Sequence, residues 1–240
     1  MLMRLATSAV LGTLIVGCFY AYNYLTTAEQ LSITEVDYRG LSRIENQEVD
    51  RILADLRGQN ILLVPLESYS ARFLGHPRIR STHFKRVLPN RVICSFTERE
   101  PVALVYASKF LEVDADGMVM NSDELTGLLD LPVVTGVDGK GFREGKRCES
   151  KELKRALETL RICKQYGGPF ADDISELRIS RDGISVVSLK EGVVLLLGSS
   201  DIEGRLRKYF LLKNSIVENN DFARLIDLRF DDQIVLRNGI

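Results

Sequence analysis

The side chains that usually carry proton transfer, nucleophilic attack or metal binding are scarce and scattered in this sequence. There are two histidines, His76 and His83, and four cysteines, at 18, 94, 148 and 163. No two cysteines have the C-x-x-C spacing of zinc or thiol-disulfide sites. His76 stands beside Pro77 in a helix-stop phrase. His83 lies in a strand-like run just before Phe84, and neither histidine belongs to a visible catalytic or metal-ligand motif. The stretch Asp114-Ala115-Asp116-Gly117 brings two carboxylates close together. A calcium loop needs further oxygen donors at alternate positions, and Met118 and Met120 supply none, so the stretch reads as a tight turn. Gly139, Gly141 and Gly145 lack the G-x-G-x-x-G spacing, and no apolar-periodic helix starts there, which excludes a phosphate-cradling loop. The expectation is a protein that is not an enzyme. It has no catalytic residue, metal, cofactor or small-molecule substrate, and it acts through its surfaces.

The totals agree with that direction. The formal net charge of −1 offers no concentrated basic surface, so nucleic acid is not an expected partner. Apolar residues at 45% against 27% charged describe a chain able to build a core rather than a disordered one. The length of 240 residues allows one large or two small domains.

The informative asymmetry is at the amino-terminal end. After Arg4 no charge occurs from Leu5 to Ala28. About 20 apolar residues in a helix cross the ~30 Å hydrocarbon layer. Phe19, Tyr20, Tyr22 and Tyr24 near the far end suit the headgroup level. The reading is a single membrane-spanning helix over 5–25. Residues 1–4 are then cytoplasmic and the rest lies outside the inner membrane, because the basic residue precedes the span. Two other readings compete. A cleaved leader would end at Thr26-Thr27-Ala28. A lipobox over Ile15-Val16-Gly17-Cys18 would lipidate Cys18, but the apolar run continues past that cysteine.

Residues 31–100 read as strand, helix, helix, strand, strand. Ile33, Glu35 and Asp37 alternate with Thr34, Val36 and Tyr38, and Gly40 closes that strand. Val49, Ile52, Leu53 and Leu56 share one helical face, with Asn46 as the expected N-cap and Gly58 as the stop. Leu66, Tyr69 and Phe73 stripe a second helix that Gly75 and Pro77 end. Strands follow over Ile79–Arg86 and Arg91–Glu98, turned by Pro89-Asn90, with Val92, Cys94 and Phe96 on one face.

Residues 101–240 read as a β-rich domain with two helices. A hairpin spans Phe110–Met120. A helix over 151–166 is capped by Ser150 and turns Leu153, Ala156, Leu157 and Leu160 inward. Strands SELRIS, ISVVSL and VVLLLG follow, joined at Asp182-Gly183 and Glu191-Gly192. Ser200 to Glu203 spells a capping box opening a helix with Ile202, Leu206, Tyr209 and Phe210 on one face. The last strands are RLIDLRF and QIVLR, joined at Asp231-Asp232. Cys148 stands before the helix that begins near Lys151, and Cys163 lies near its far end. Twelve helical residues hold its ends ~18 Å apart, too far for a disulfide.

Several phrases, in this order and spacing, carry a resemblance. They are the run Val36 to Ile44 around Gly40, Asn60-Ile61-Leu62-Leu63-Val64, the hairpin Phe84 to Asn90 with Thr97-Glu98-Arg99-Glu100-Pro101-Val102-Ala103, the strand-to-helix phrase Val193 to Leu206, and Ile226-Asp227-Leu228-Arg229-Phe230. Together the sequence resembles the FtsQ/DivIB cell-division family. Leu88 stands where that family usually has an aromatic residue. The resemblance implies an α+β chain with a transmembrane helix, a POTRA domain at 31–100 and a β domain at 101–240. It implies a scaffold of the divisome at the septum, linking early division proteins to peptidoglycan synthesis. It implies FtsB- and FtsL-like partners near the last strands, with Leu228, Arg229, Phe230, Asp232 and Ile234 as the partner-binding set. Arg229 would fork to a partner carboxylate and Phe230 fill an apolar pocket. A POTRA-bearing export or outer-membrane assembly factor is the rival function, and a periplasmic enzyme the third.

Overall fold

The computed structural model describes residues 2–121, 130–219 and 223–238. Met1 of the expected cytoplasmic end, and residues 122–129, 220–222 and 239–240 of the expected second domain, lie outside them. The chain is a mixed α+β protein that divides into two units, Met1–Arg99 and Glu100–Ile240.

The first unit opens with helix α1 (Leu2–Thr27) and a single 3-10 turn at Glu29–Leu31. The expected span over 5–25 falls inside α1. Among the described residues, however, no helix is long and apolar enough to cross a membrane. Then come β1 (Glu35–Arg39), α2 (Asn46–Ala54), α3 (Leu66–Leu74), β2 (Ile79–Val87) and β3 (Arg91–Glu98). The sheet order is β1-β3-β2, with β1 parallel and β2 antiparallel to β3. Apolar residues three and four apart on α2 and α3 bury Val49, Leu53, Leu66, Tyr69 and Phe73 over Val92, Cys94 and Phe96. The rings of Phe73 and Phe96 lie 4.7 Å apart.

Two local expectations are corrected. Asn46 is the first helical residue rather than the cap, and Glu45 occupies the cap position without a side-chain bond. Ile33 does not continue the face of Glu35 and Asp37. It is buried because it pairs with the turn after α2, its N–H to Gln59 O and its carbonyl to Gly58 N–H, both before β1 begins. Gly40 has φ +89°, and a Cβ there would sit 2.1 Å from Phe96 O. The chain turning past it is held by Glu98. This carboxylate accepts from the Ser42 hydroxyl (2.7 Å) and from the N–H groups of Ser42 (2.8 Å), Arg43 (3.1 Å) and Ile44 (3.3 Å).

The second unit contains β4 (Pro101–Tyr106), β5 (Phe110–Asp114), β6 (Val119–Asn121), β7 (Val133–Thr135), α4 (Lys151–Tyr166), β8 (Ile174–Ser180), β9 (Gly183–Ser188), β10 (Val193–Gly198), α5 (Ile202–Asn219), β11 (Ala223–Asp227) and β12 (Val235–Asn238). They form a nine-stranded sheet ordered β12-β11-β10-β9-β8-β7-β4-β5-β6. Helices α4 and α5 pack together and bury Leu153, Ala156, Leu157, Leu160, Cys163, Leu206 and Tyr209 in one core with the sheet. Ser150 caps α4, accepting from Leu153 N–H at 3.2 Å. The capping box at α5 is not formed. Asp201, at φ +45°, accepts from Gly204 N–H instead, and Glu203 accepts from the Tyr166 hydroxyl at 2.8 Å. The cysteines are free thiols. Burial pushes Cys94 and Cys163 up to about 12, so neither is ionised for attack near neutral pH.

Candidate partner-binding edge

A sheet that does not close has two edge strands, each with a row of backbone donors and acceptors that another chain can complete. The β6 edge is partly covered. Val119 N–H bonds Lys146 O (3.1 Å), Gly145 N–H bonds Val119 O (2.9 Å), and Met118 bridges Arg147. At the other end β12 pairs only with β11, and among the described residues no strand lies on its outer side.

This edge is built by a crossover. β10 ends at Gly198, α5 crosses the sheet, and β11 returns parallel to β10, with Leu195 opposite Ile226. The chain then leaves the sheet over residues 228–234 and comes back antiparallel as β12, with Ile226 opposite Leu236. The expected strand over 224–230 is therefore shorter, because β11 ends at Asp227. The departure is fixed by the buried carboxylate of Asp227, whose residue is 0% exposed. Arg229 grips it with Nε at 2.8 Å and Nη2 at 2.6 Å, and its own N–H adds a bond at 3.1 Å. The Arg229 guanidinium, with burial opposing it, holds the Asp227 carboxyl below the usual carboxylate range.

α5 supplies the second clamp. Arg205 donates to Leu197 O (2.6 Å) and Arg229 O (3.0 Å), and Lys208 donates to Asp231 O (2.8 Å). The bonds to Arg229 O and Asp231 O satisfy carbonyls of a segment that has no ladder of its own, and the bond to Leu197 O ties it to the end of β10. Gly198, at φ +71°, leaves the room: a Cβ there would lie 2.8 Å from Arg205 Nη1 and 3.1 Å from Arg229 Cγ.

The five expected binding residues now have places. Leu228 is buried, and its N–H bonds Leu196 O at 2.9 Å, so it is core and not contact surface. Arg229 is partly exposed but its fork is occupied by Asp227 within the chain. Phe230 is 45% exposed, and Asp232 is exposed. Ile234 is half-buried against the core. Leu228 and Phe230, expected within the strand over 224–230, both lie past the end of β11, so strand alternation does not set where they face. Arg205 and Lys208 were missed. Their signal was a pair of cations three apart on α5, next to the apolar Leu206 and Tyr209.

Comparison with known proteins decides the family. The model of "Cell division protein FtsQ/DivIB, C-terminal" matches residues 103–229, more than half of the chain. The chain belongs to the FtsQ/DivIB family. The matched residues run from β4 through the Asp227–Arg229 clamp and stop before Phe230 and β12. Similar relatives include proteins named cell division protein FtsQ from three bacteria. The one from Myxococcus fulvus is 25% identical over 217 residues, covering 90% of this chain and 76% of the relative. The one from Syntrophotalea carbinolica is 28% identical over 204 residues, covering 83% and 71%. The one from Geotalea daltonii is 23% identical over 225 residues, covering 92% and 82%. The family thus spans both units of the chain, not only the β-rich one.

Proposed function

We propose that this cell-division protein is a non-enzymatic divisome scaffold. In this reading it is held in the inner membrane by α1 and captures a partner strand along β12. The open outer side of β12 carries the reading, since main-chain bonding supplies affinity and flanking side chains supply choice. By the family resemblance the partners are FtsB- and FtsL-like proteins, captured outside the inner membrane at the septum. The first unit then serves as a POTRA domain for recruitment. Phe230 remains the apolar contact of this surface, beside Asp232 and the half-buried Ile234. Arg229 acts by shaping the segment through Asp227 rather than by meeting a partner carboxylate.

For the membrane anchor, the support is the charge-free stretch from Leu5 to Ala28 and the outward-facing Leu11, Leu14, Ile15, Val16 and Phe19. Membership of a division family favours this role over export or outer-membrane assembly.

The test is a pair of proline substitutions, Val235→Pro and Leu236→Pro. In an antiparallel edge, neighbouring residues point their N–H groups to opposite sides. One proline therefore removes an outward donor and leaves the β11 pairing, while the other does the reverse. Calorimetric titration with the partner's extracytoplasmic segment should show lost capture in the variant that keeps its β11 bonds and its melting curve. Full capture by that folded variant would sink the added-strand model.

A further inference from the structure

The phrase Asn60-Ile61-Leu62-Leu63-Val64 is not used by the β12 edge, and its geometry is specific. A helix ends with carbonyls that lack intrahelical donors. At the end of α1 those of Leu25 and Thr26 are taken by one side chain: Asn60 Nδ2 donates to Leu25 O at 2.8 Å and Thr26 O at 3.2 Å. The backbone reinforces the junction. Ser32 bridges Asn60, and Ile61 N–H bonds Leu31 O at 2.8 Å. The segment after Asn60 is a compact turn, with the N–H groups of Leu63 (3.1 Å) and Val64 (2.9 Å) on Asn60 O. From the other side Arg86 holds it, Nε to Ile61 O (2.8 Å) and Nη2 to Val64 O (2.7 Å).

Within this braced turn Ile61 and Val64 point into the core, while Leu62 and Leu63 are 41% and 56% exposed. A turn so fully bonded has no structural need for two outward leucines. The β2–β3 turn, with exposed Leu88, reaches the same end of the unit through Thr34 N–H to Asn90 O (3.0 Å).

We infer that Leu62 and Leu63 enter the lipid interface beside α1, giving the first unit a second membrane contact. The inference rests on the reading of α1 as the membrane anchor. Two or three residues from Asn60 reach at most about 7–11 Å, and the compact turn shortens that. The interfacial zone on each side of a bilayer is about 5–7 Å deep. The carbonyls that Asn60 caps belong to the last turn of α1, just past Tyr20, Tyr22 and Tyr24, whose rings suit that zone. The two leucines are therefore fixed at interfacial depth, where apolar side chains of peripheral segments seat. The occupant is the lipid surface itself, because the turn's place is set by the helix end and not by a groove for a second protein.

The chain contains no tryptophan, so one introduced indole is a clean probe. Full-length Leu63→Trp is reconstituted in phosphatidylethanolamine–phosphatidylglycerol vesicles. Its emission is quenched by lipids brominated near the headgroup end of the chain, and separately by aqueous iodide. Leu74→Trp is the water-facing reference: Leu74 is exposed at the end of α3 near the start of β2, and β2 runs about 23 Å to its Arg86 end. Leu14→Trp, at mid-span, reports on the anchor and is read with lipids brominated deep in the chain. The expected result is brominated-lipid quenching of Leu63→Trp with several-fold weaker iodide quenching than for Leu74→Trp. Iodide access at 63 equal to that at 74, with Leu14→Trp lipid-quenched, overturns this inference and leaves the anchor standing. Lipid quenching at both 63 and 74 also overturns it, since the whole unit would then lie on the bilayer. A Leu14→Trp that lipid does not quench overturns the anchor, and the inference falls with it.

Discussion

Replacing Arg229 should weaken the fold before it touches any partner. Arg229→Ala removes two side-chain bonds, at 2.8 and 2.6 Å, from a carboxylate on a residue with no exposed surface. Stripping one partner from a fully buried ion pair costs about 3–5 kcal/mol, whereas a surface pair is worth roughly 0–1 kcal/mol. The guanidinium side chain is 38% exposed, so water can follow it out, and the backbone N–H of residue 229 still serves Asp227. A loss of about 2 kcal/mol is the intermediate expectation. For a folded region of this size that lowers the melting temperature by roughly 4–8 °C. Arg229→Glu sets a second carboxylate against Asp227 and should be worse than alanine. Arg229→Lys keeps the charge without the fork and should recover part of the loss. Thermal unfolding of the full chain in detergent, with partner titration at a temperature where every variant is folded, separates stability from binding. A stability change within ~0.5 kcal/mol for Arg229→Ala, the range of an ordinary surface substitution, would refute the clamp.

Three other outcomes follow from the same contacts. Glu98 is held below the usual carboxylate range although burial alone pushes it up, because the Ser42 hydroxyl and three backbone N–H groups favour its charged form. Asp227 is lowered too, chiefly by Arg229. Both contributions are complete above the unfolded value, about pH 4, and disappear as pH falls through the lower folded values. Glu98→Gln should therefore flatten the acid limb of a stability-against-pH curve; an unchanged limb counts against the role given to Glu98. Gly183 has φ +114°, and a Cβ would meet Gly198 C at 2.0 Å, so Gly183→Ala should cost about 3 kcal/mol or more, read as loss of the cooperative melt. Asn60→Ala should leave the core intact but free the end of α1. Faster amide exchange confined to residues 25–31 and to Leu62, whose N–H Asn60 Oδ1 accepts at 2.9 Å, checks it, since a lost cap acts locally.

Periodicity made the helices and central strands readable. The spacing of Val49 and Leu53, and of Leu153, Leu157 and Leu160, marks the buried stripes, because a half-buried helix repeats every three or four residues; the expected stripe member Leu56 is buried too, but in the turn after α2. The alternation of Val92, Cys94 and Phe96 likewise marks the inner face of β3. Sequence reading failed where a tertiary bond overrides a local rule. Asp201 took the cap expected of Ser200 and Glu203, and Glu203 was drawn to Tyr166. At the candidate edge, residues 224–230 read as one strand. No one-dimensional signal shows that Asp227 is buried beneath Arg229 and ends the ladder there. Nor can spacing show that Arg205 and Lys208 reach across from α5 to residues 229–231.

The short ladder at this edge also has a mechanical meaning. Among the described residues β12 is tied to β11 through the register Ala223–Asp227, and β11 to β10 through Leu225–Asp227 and the Leu228 N–H on Leu196 O. In the proposed capture, a segment bound along β12 would hang in series from these few rungs. Tension along the strands loads every rung together as shear, whereas tension across them opens one rung at a time like a zip. The Arg229 and Arg205 bonds stand beside the rung at which such a zip would start. Under the proposed edge-strand capture, a pull along the strand axis would meet a firm grip, and a pull across it a release.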